Sequence, residues 1–91
     1  MVMSRRRTER FAPDDFEKVV PLETGRVRDL YSQGVVRQIW LRADLPGACF
    51  LVEATTFDQA RAIVEDLPMA TSGLSAFKVI PLRPYPGFWP R

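Results

Sequence analysis

The stretch VVRQIWLRADLPGACFLVEAT, residues 35–55, decides how this chain folds. Two runs rich in β-branched and aromatic side chains, Val35–Ala43 and Ala48–Thr55, flank Asp44-Leu45-Pro46-Gly47. The four residues between them have turn composition, so the pattern predicts a β-hairpin. Its facing sets follow from parity. A two-residue loop at Pro46-Gly47 and a four-residue loop at Asp44–Gly47 both place Gln38, Trp40 and Arg42 on one face with Cys49, Leu51 and Glu53. Ile39, Leu41, Ala48, Phe50, Val52 and Ala54 then take the other face, with Arg37 near the edge. A three-residue loop would exchange the faces of one strand.

Upstream, Met1-Val2-Met3 gives way to Ser4-Arg5-Arg6-Arg7, which predicts a strand at a sheet edge or mouth whose polar end is solvated, with attraction of an anion or substrate, or of nucleic acid, as the alternatives for the arginine run. Pro13-Asp14-Asp15 starts a helix, since proline fits the first turn and acids complement the helix dipole. Phe16, Val19 and Val20 give a short apolar face before Pro21 interrupts the hydrogen-bond ladder. A second helical stretch is expected from Leu22 to about Gln33, with Gly34 as its cap and Val27, Leu30 and Tyr31 on its buried face.

Downstream of the hairpin, Thr55 or Thr56 caps a helix carrying Ala60, Ile63, Val64 and Leu67. Leu67-Pro68 ends it. Met69–Gly73 connects to a last strand, Leu74–Leu82. The order is β-α-β-β-α-β, the split βαβ or ferredoxin-like arrangement. It is an α+β class: one four-stranded antiparallel sheet with two helices on one face. The other face is partly hydrophobic and needs a cover, which a second copy across a two-fold axis would supply.

Ninety-one residues make one domain, residues 1–91, ending in a proline and aromatic tail at 83–91 that carries Tyr85, Phe88 and Trp89. Thirteen basic and eleven acidic residues leave a net charge of +2, too small for a general nucleic-acid binder. With Cys49 alone and no histidine, a disulfide framework, a standard zinc site and histidine-based catalysis are excluded. The longest unbroken apolar run is Ala48–Val52, against roughly 20 residues for a membrane span. No leader pattern is visible, so the expected location is the cytoplasm, with no membrane and no nucleic-acid partner.

Glu53 interrupts an apolar run and must either pair with a cation such as Arg42, face a wet surface, or sit in a pocket with a raised pKa. Trp40 and Tyr31 are core residues or, beside Glu53 and Arg42, the aromatic wall of a site for a small planar anion. Glu23, one turn before Val27, approaches from the helix or faces solvent. Arg26 and Arg28 are surface charges or holders of a substrate carboxylate. Cys49 reads as a small hydrophobe. No glycine-rich phosphate loop or nucleotide fingerprint is present.

The run Glu23-x2-Arg26-x-Arg28-x-Leu30-x3-Gly34-x5-Trp40, followed by Glu53, Leu67-Pro68 and Pro81-Leu82, resembles the muconolactone delta-isomerase family over about Leu22–Pro86. The resemblance implies a dimeric α/β barrel, a homodimer or larger homo-oligomer, that binds a small molecule and uses no cofactor. It implies proton-transfer or isomerisation chemistry on a small unsaturated lactone or aromatic-derived substrate, with Glu53 and Glu23 as catalytic candidates. Trp40, Arg42, Arg26 and Tyr31 are then the substrate-binding candidates. The chain departs from the family where Leu41 follows Trp40 in place of arginine, where Glu53 replaces aspartate, and in Arg83-Pro84-Tyr85-Pro86, which replaces a histidine-bearing tail. A non-catalytic ligand-binding or assembly protein of the same fold, and a cofactor-free oxygenase or cyclase of natural-product tailoring, are the alternatives.

Overall fold

The computed structural model describes residues 1–88. The chain runs β1 (Val2–Arg6), α1 (Pro13–Ser32), β2 (Val36–Leu41), β3 (Ala48–Val52), α2 (Phe57–Glu65), α3 (Pro68–Thr71) and β4 (Ser75–Val79), then a single 3-10 turn at Pro86–Phe88. The four strands form one sheet in the order β2-β3-β1-β4, every neighbouring pair antiparallel. β1 and β2 therefore run the same way with β3 between them, an α+β architecture consistent with the ferredoxin-like order. Trp89 of the expected aromatic tail lies outside the described residues.

One face of the sheet carries the core. Val2, Val36 and Phe50 pack with Leu30 of α1, Val64 of α2 and Leu67. Val2, Val36 and Leu67 are almost completely withdrawn from water, each stabilising by about 1.5–3 kcal/mol. A second cluster of Phe16, Met69 and Leu74 continues this layer toward the start of α1, with Phe77 touching both.

The hairpin has the facing sets expected from its sequence, but in a different register. Leu41 pairs with Ala48, Trp40 with Cys49, Ile39 with Phe50 and Gln38 with Leu51. The Arg42 N–H donates to the Gly47 carbonyl at 2.9 Å, so the loop proper is Ala43–Pro46. This shift is an even number of residues, which preserves the parity. Past Gln38 the alternation breaks: a bulge at Arg37 pairs Val36 with Val52 and turns Val36 into the core.

Three further expectations are corrected. Pro21 does not divide α1, which is continuous from Pro13 to Ser32. A proline removes one ladder donor without stopping a helix whose apolar side is packed along its length, here by Phe16, Val19, Val20, Val27 and Leu30. The Met69–Gly73 connection contains the single-turn helix α3, so there are three α-helices and not two. Tyr31, expected on the buried face, is 61% exposed near the end of α1.

Local chemistry sets the helix ends. The Asp15 carboxylate accepts the Ala12 N–H at 2.9 Å at the start of α1. At its end, Gly34 adopts φ +77° and donates to the Tyr31 carbonyl, while Val35 donates to Leu30 at 2.8 Å. These paired bonds form a Schellman cap, which favours glycine at the left-handed position. Thr56 Oγ1 accepts the Gln59 N–H at 3.1 Å, as expected for the cap of α2.

Candidate functional site

The candidates from sequence fall into three separate places. Glu23 lies between α1 and α3, where its Oε1 accepts the Met69 N–H at 3.1 Å. Burial pushes its carboxyl above the ordinary range, and the Met69 hydrogen bond opposes that shift. Arg26, one turn of nearest spacing further on, pairs with Asp66 at 3.6 Å. Tyr31 stands exposed near the end of the same helix.

Trp40 and Glu53 lie on the sheet face away from the helices. Trp40 is opposite Cys49, and alternation along β3 carries that face through Leu51 to Glu53. Four residues of strand separate Cys49 from Glu53, roughly 13 Å. Trp40 is 49% exposed and Glu53 is exposed, so they form no shared pocket within one protomer. Arg42, the suggested partner of Glu53, sits at the opposite end of the hairpin. It grips Asp44 through Nε at 3.0 Å and Nη2 at 2.8 Å, and donates to the Ser4 carbonyl at 3.3 Å. The Arg42 guanidinium holds the Asp44 carboxyl below its ordinary range, and Asp44 raises Arg42 in return.

A concavity lies elsewhere. A cleft of about 630 Å³ opens where the end of β1, the first half of α1 and the hairpin tip meet. Phe11, Phe16, Val20 and Pro46 supply apolar wall, with Arg6 and Glu17 as its charged members. Phe11 and Phe16 meet edge to face, their centroids 6.3 Å apart and their planes at 84°. The Arg6 guanidinium lies over the Phe16 ring, 5.6 Å from its centroid. Sequence reasoning missed this site because three distant segments build it. Its signals were present, however: Arg6 continues the inward alternation Val2, Ser4, and Phe16 and Val20 share a helical stripe.

The three consecutive arginines do not form a common basic surface. Arg5 pairs with Glu9 at 3.0 Å, Arg6 covers Phe16, and Arg7 donates to the Gly73 carbonyl at 3.1 Å.

The sheet face opposite the helices is apolar at its centre and uncovered. Met3, Trp40, Cys49 and Leu51 occupy it, with Arg5, Lys78 and Glu53 toward its margins. The Cys49 thiol lies 3.1 Å from the Met1 sulfur. Beyond the sheet, Leu82, Tyr85 and Phe88 are largely exposed, Phe88 by 83%.

Among the described residues no helix is long and apolar enough to cross a membrane, and no group of three metal-ligating acidic or cysteine side chains occurs. No protein-family model matches the chain, and no curated protein matches its sequence.

Proposed function

We propose that the protein is a cofactor-independent, cytoplasmic small-molecule protein resembling muconolactone isomerase, which acts as a homodimer and holds its ligand in the cleft beside Arg6. The observation that carries the reading is the cleft itself: aromatic and aliphatic walls around a volume suited to a small molecule, with few polar groups to orient it. The uncovered apolar sheet face around Met3, Trp40, Cys49 and Leu51 supports a second copy as its cover. The chemistry is proton transfer or isomerisation on a small unsaturated lactone or an aromatic-derived substrate, with Glu17 the carboxylate that lines the cleft.

One observation favours a second reading, ligand binding without turnover. Glu23 and Glu53 belong to opposite sides of the sheet, and one Glu23 oxygen is already engaged by Met69. A single experiment separates the two. Butenolide carboxylates and aromatic acids are titrated against the protein by ligand-observed NMR in deuterated buffer. Binding together with protein-dependent exchange of a substrate C–H for deuterium supports proton transfer. Binding without exchange supports the second reading. Thr8→Trp, at an exposed residue on the rim of the cleft, abolishes binding under either reading. If that variant binds like the parent protein, the cleft is not the site.

A further inference from the structure

We infer that the cleft beside Arg6 is built for a planar aromatic acid that also carries a hydrogen-bond donor, of which a phenolic carboxylate is the simplest example. The inference rests on the cleft being a ligand site, as proposed above, and concerns the chemical class it selects.

The argument begins with Arg6. Arg5, Arg26, Arg42 and Arg61 each pair with an acid, and Arg7 donates to a carbonyl. Arg6 is drawn in from solvent, yet among the described residues its side chain forms no ion pair and donates no hydrogen bond. Its position comes from β1, whose inward alternation Val2, Ser4, Arg6 points it at the helix layer, and from the Phe16 ring beneath it. A guanidinium held over a ring keeps its edge N–H groups free. Five donors in a planar fork match a carboxylate better than any neutral group.

The second charged member, Glu17, follows Phe16 on α1 and lines the same cleft. Arg6 and Glu17 form no ion pair with each other, so neither neutralises the other. An ionised carboxylate only accepts hydrogen bonds. A ligand that satisfies both residues therefore carries both an acceptor anion and a donor. The rest of the wall includes Phe11 and Pro46, with Phe16 beneath Arg6, which suits a flat apolar body. A hydroxyl can donate to Glu17, and Thr8 on the rim adds a further hydroxyl.

The test uses 4-hydroxybenzoate, benzoate and 4-hydroxybenzamide as probes, titrated calorimetrically into the protein. The expected order is 4-hydroxybenzoate tightest, benzoate several-fold weaker, and the neutral amide at least ten-fold weaker. Arg6→Gln should bring the acid and the amide to the same affinity. Glu17→Leu should bring 4-hydroxybenzoate and benzoate to the same affinity; Glu17 is exposed, so the change does not disturb the core. Equal binding of acid and amide by the parent protein would overturn the anion class while leaving the cleft a ligand site. Equal binding of 4-hydroxybenzoate and benzoate would overturn the role of Glu17. No binding of any probe, alongside binding of a neutral apolar ligand that Thr8→Trp blocks, would overturn the inference alone. No binding of any ligand would overturn the underlying reading as well.

Discussion

The backbone N–H of Met69 donates to Glu23 Oε1 at 3.1 Å, so a carboxylate on α1 satisfies an open donor in the first turn of α3. This bond ties the long helix to the segment between α2 and β4, and it explains a half-buried acid without assigning it chemistry.

Glu23 also predicts a pH dependence. Burial raises its folded pKa above the ordinary 4.5, so the folded state holds the proton more tightly than the unfolded chain. The stability linked to that proton is fully present below 4.5 and is lost as pH rises through the folded pKa. Glu23→Gln keeps an oxygen for Met69 and removes the ionisation. Denaturant titrations should find it at least as stable as the parent near pH 7, with any advantage vanishing near pH 4. A clear loss of stability near pH 7 would show that the ionised carboxylate contributes more through its hydrogen bond than burial costs it.

Two glycines should respond in opposite directions. A Cβ on Gly47 would run into the backbone carbonyl of Ser4, where the hairpin tip meets β1. Gly47→Ala should cost about 2 kcal/mol, because backbone must move to admit it. Gly25, inside α1, has open space around the corresponding position. Gly25→Ala should stabilise by about 0.5–1 kcal/mol by stiffening the unfolded chain and favouring helix. Urea midpoints for both variants decide the matter.

Leu51 lies on the uncovered sheet face, opposite Gln38 and two residues from Cys49. Leu51→Lys should leave the helical circular dichroism intact while halving the mass seen by light scattering, because a buried ammonium without a partner is costly in an interface. An unchanged dimer mass would move the interface to another surface.

Val36 is 1% exposed although its neighbours Arg37 and Gln38 are exposed. Val36→Ala should destabilise by about 2 kcal/mol from lost burial and the cavity left behind. An effect within a few tenths would mean that the core closes over the gap.

Much of the fold could be read in the residues. The hairpin faces were legible because every plausible even-length loop gives the same parity, and the observed Leu41–Ala48 pairing is another such solution. The capping threonine and the Val64–Leu67 stripe were equally local. Val36 was not legible, since a bulge is set by how β2 meets β3 and not by β2 alone. The continuity of α1 through Pro21 depends on packing that propensity does not contain. The site fared worst. Trp40, Arg42 and Glu53 share a face by parity, but parity says nothing of distance along the strands. Asp44, two residues from Arg42, claims its guanidinium first. Arg6 was read as one of a charged run, while the chemistry of the cleft depends on its being separated from Arg5 and Arg7.

The bulge at Arg37 gives that residue a role independent of its charge. Val36 and Gln38 are two positions apart yet point to opposite faces, because Arg37 is the one unpaired residue between them. Its deletion would join Val36 directly to Gln38, and plain alternation would then leave Val36 opposite Val52 and facing the core. The ladder would run on unbroken, and what the edge strand would lose is the bend and added twist of the bulge. A lineage of such chains could therefore exchange the side chain or drop the residue, at the expense of the strand's curvature and not of its buried face.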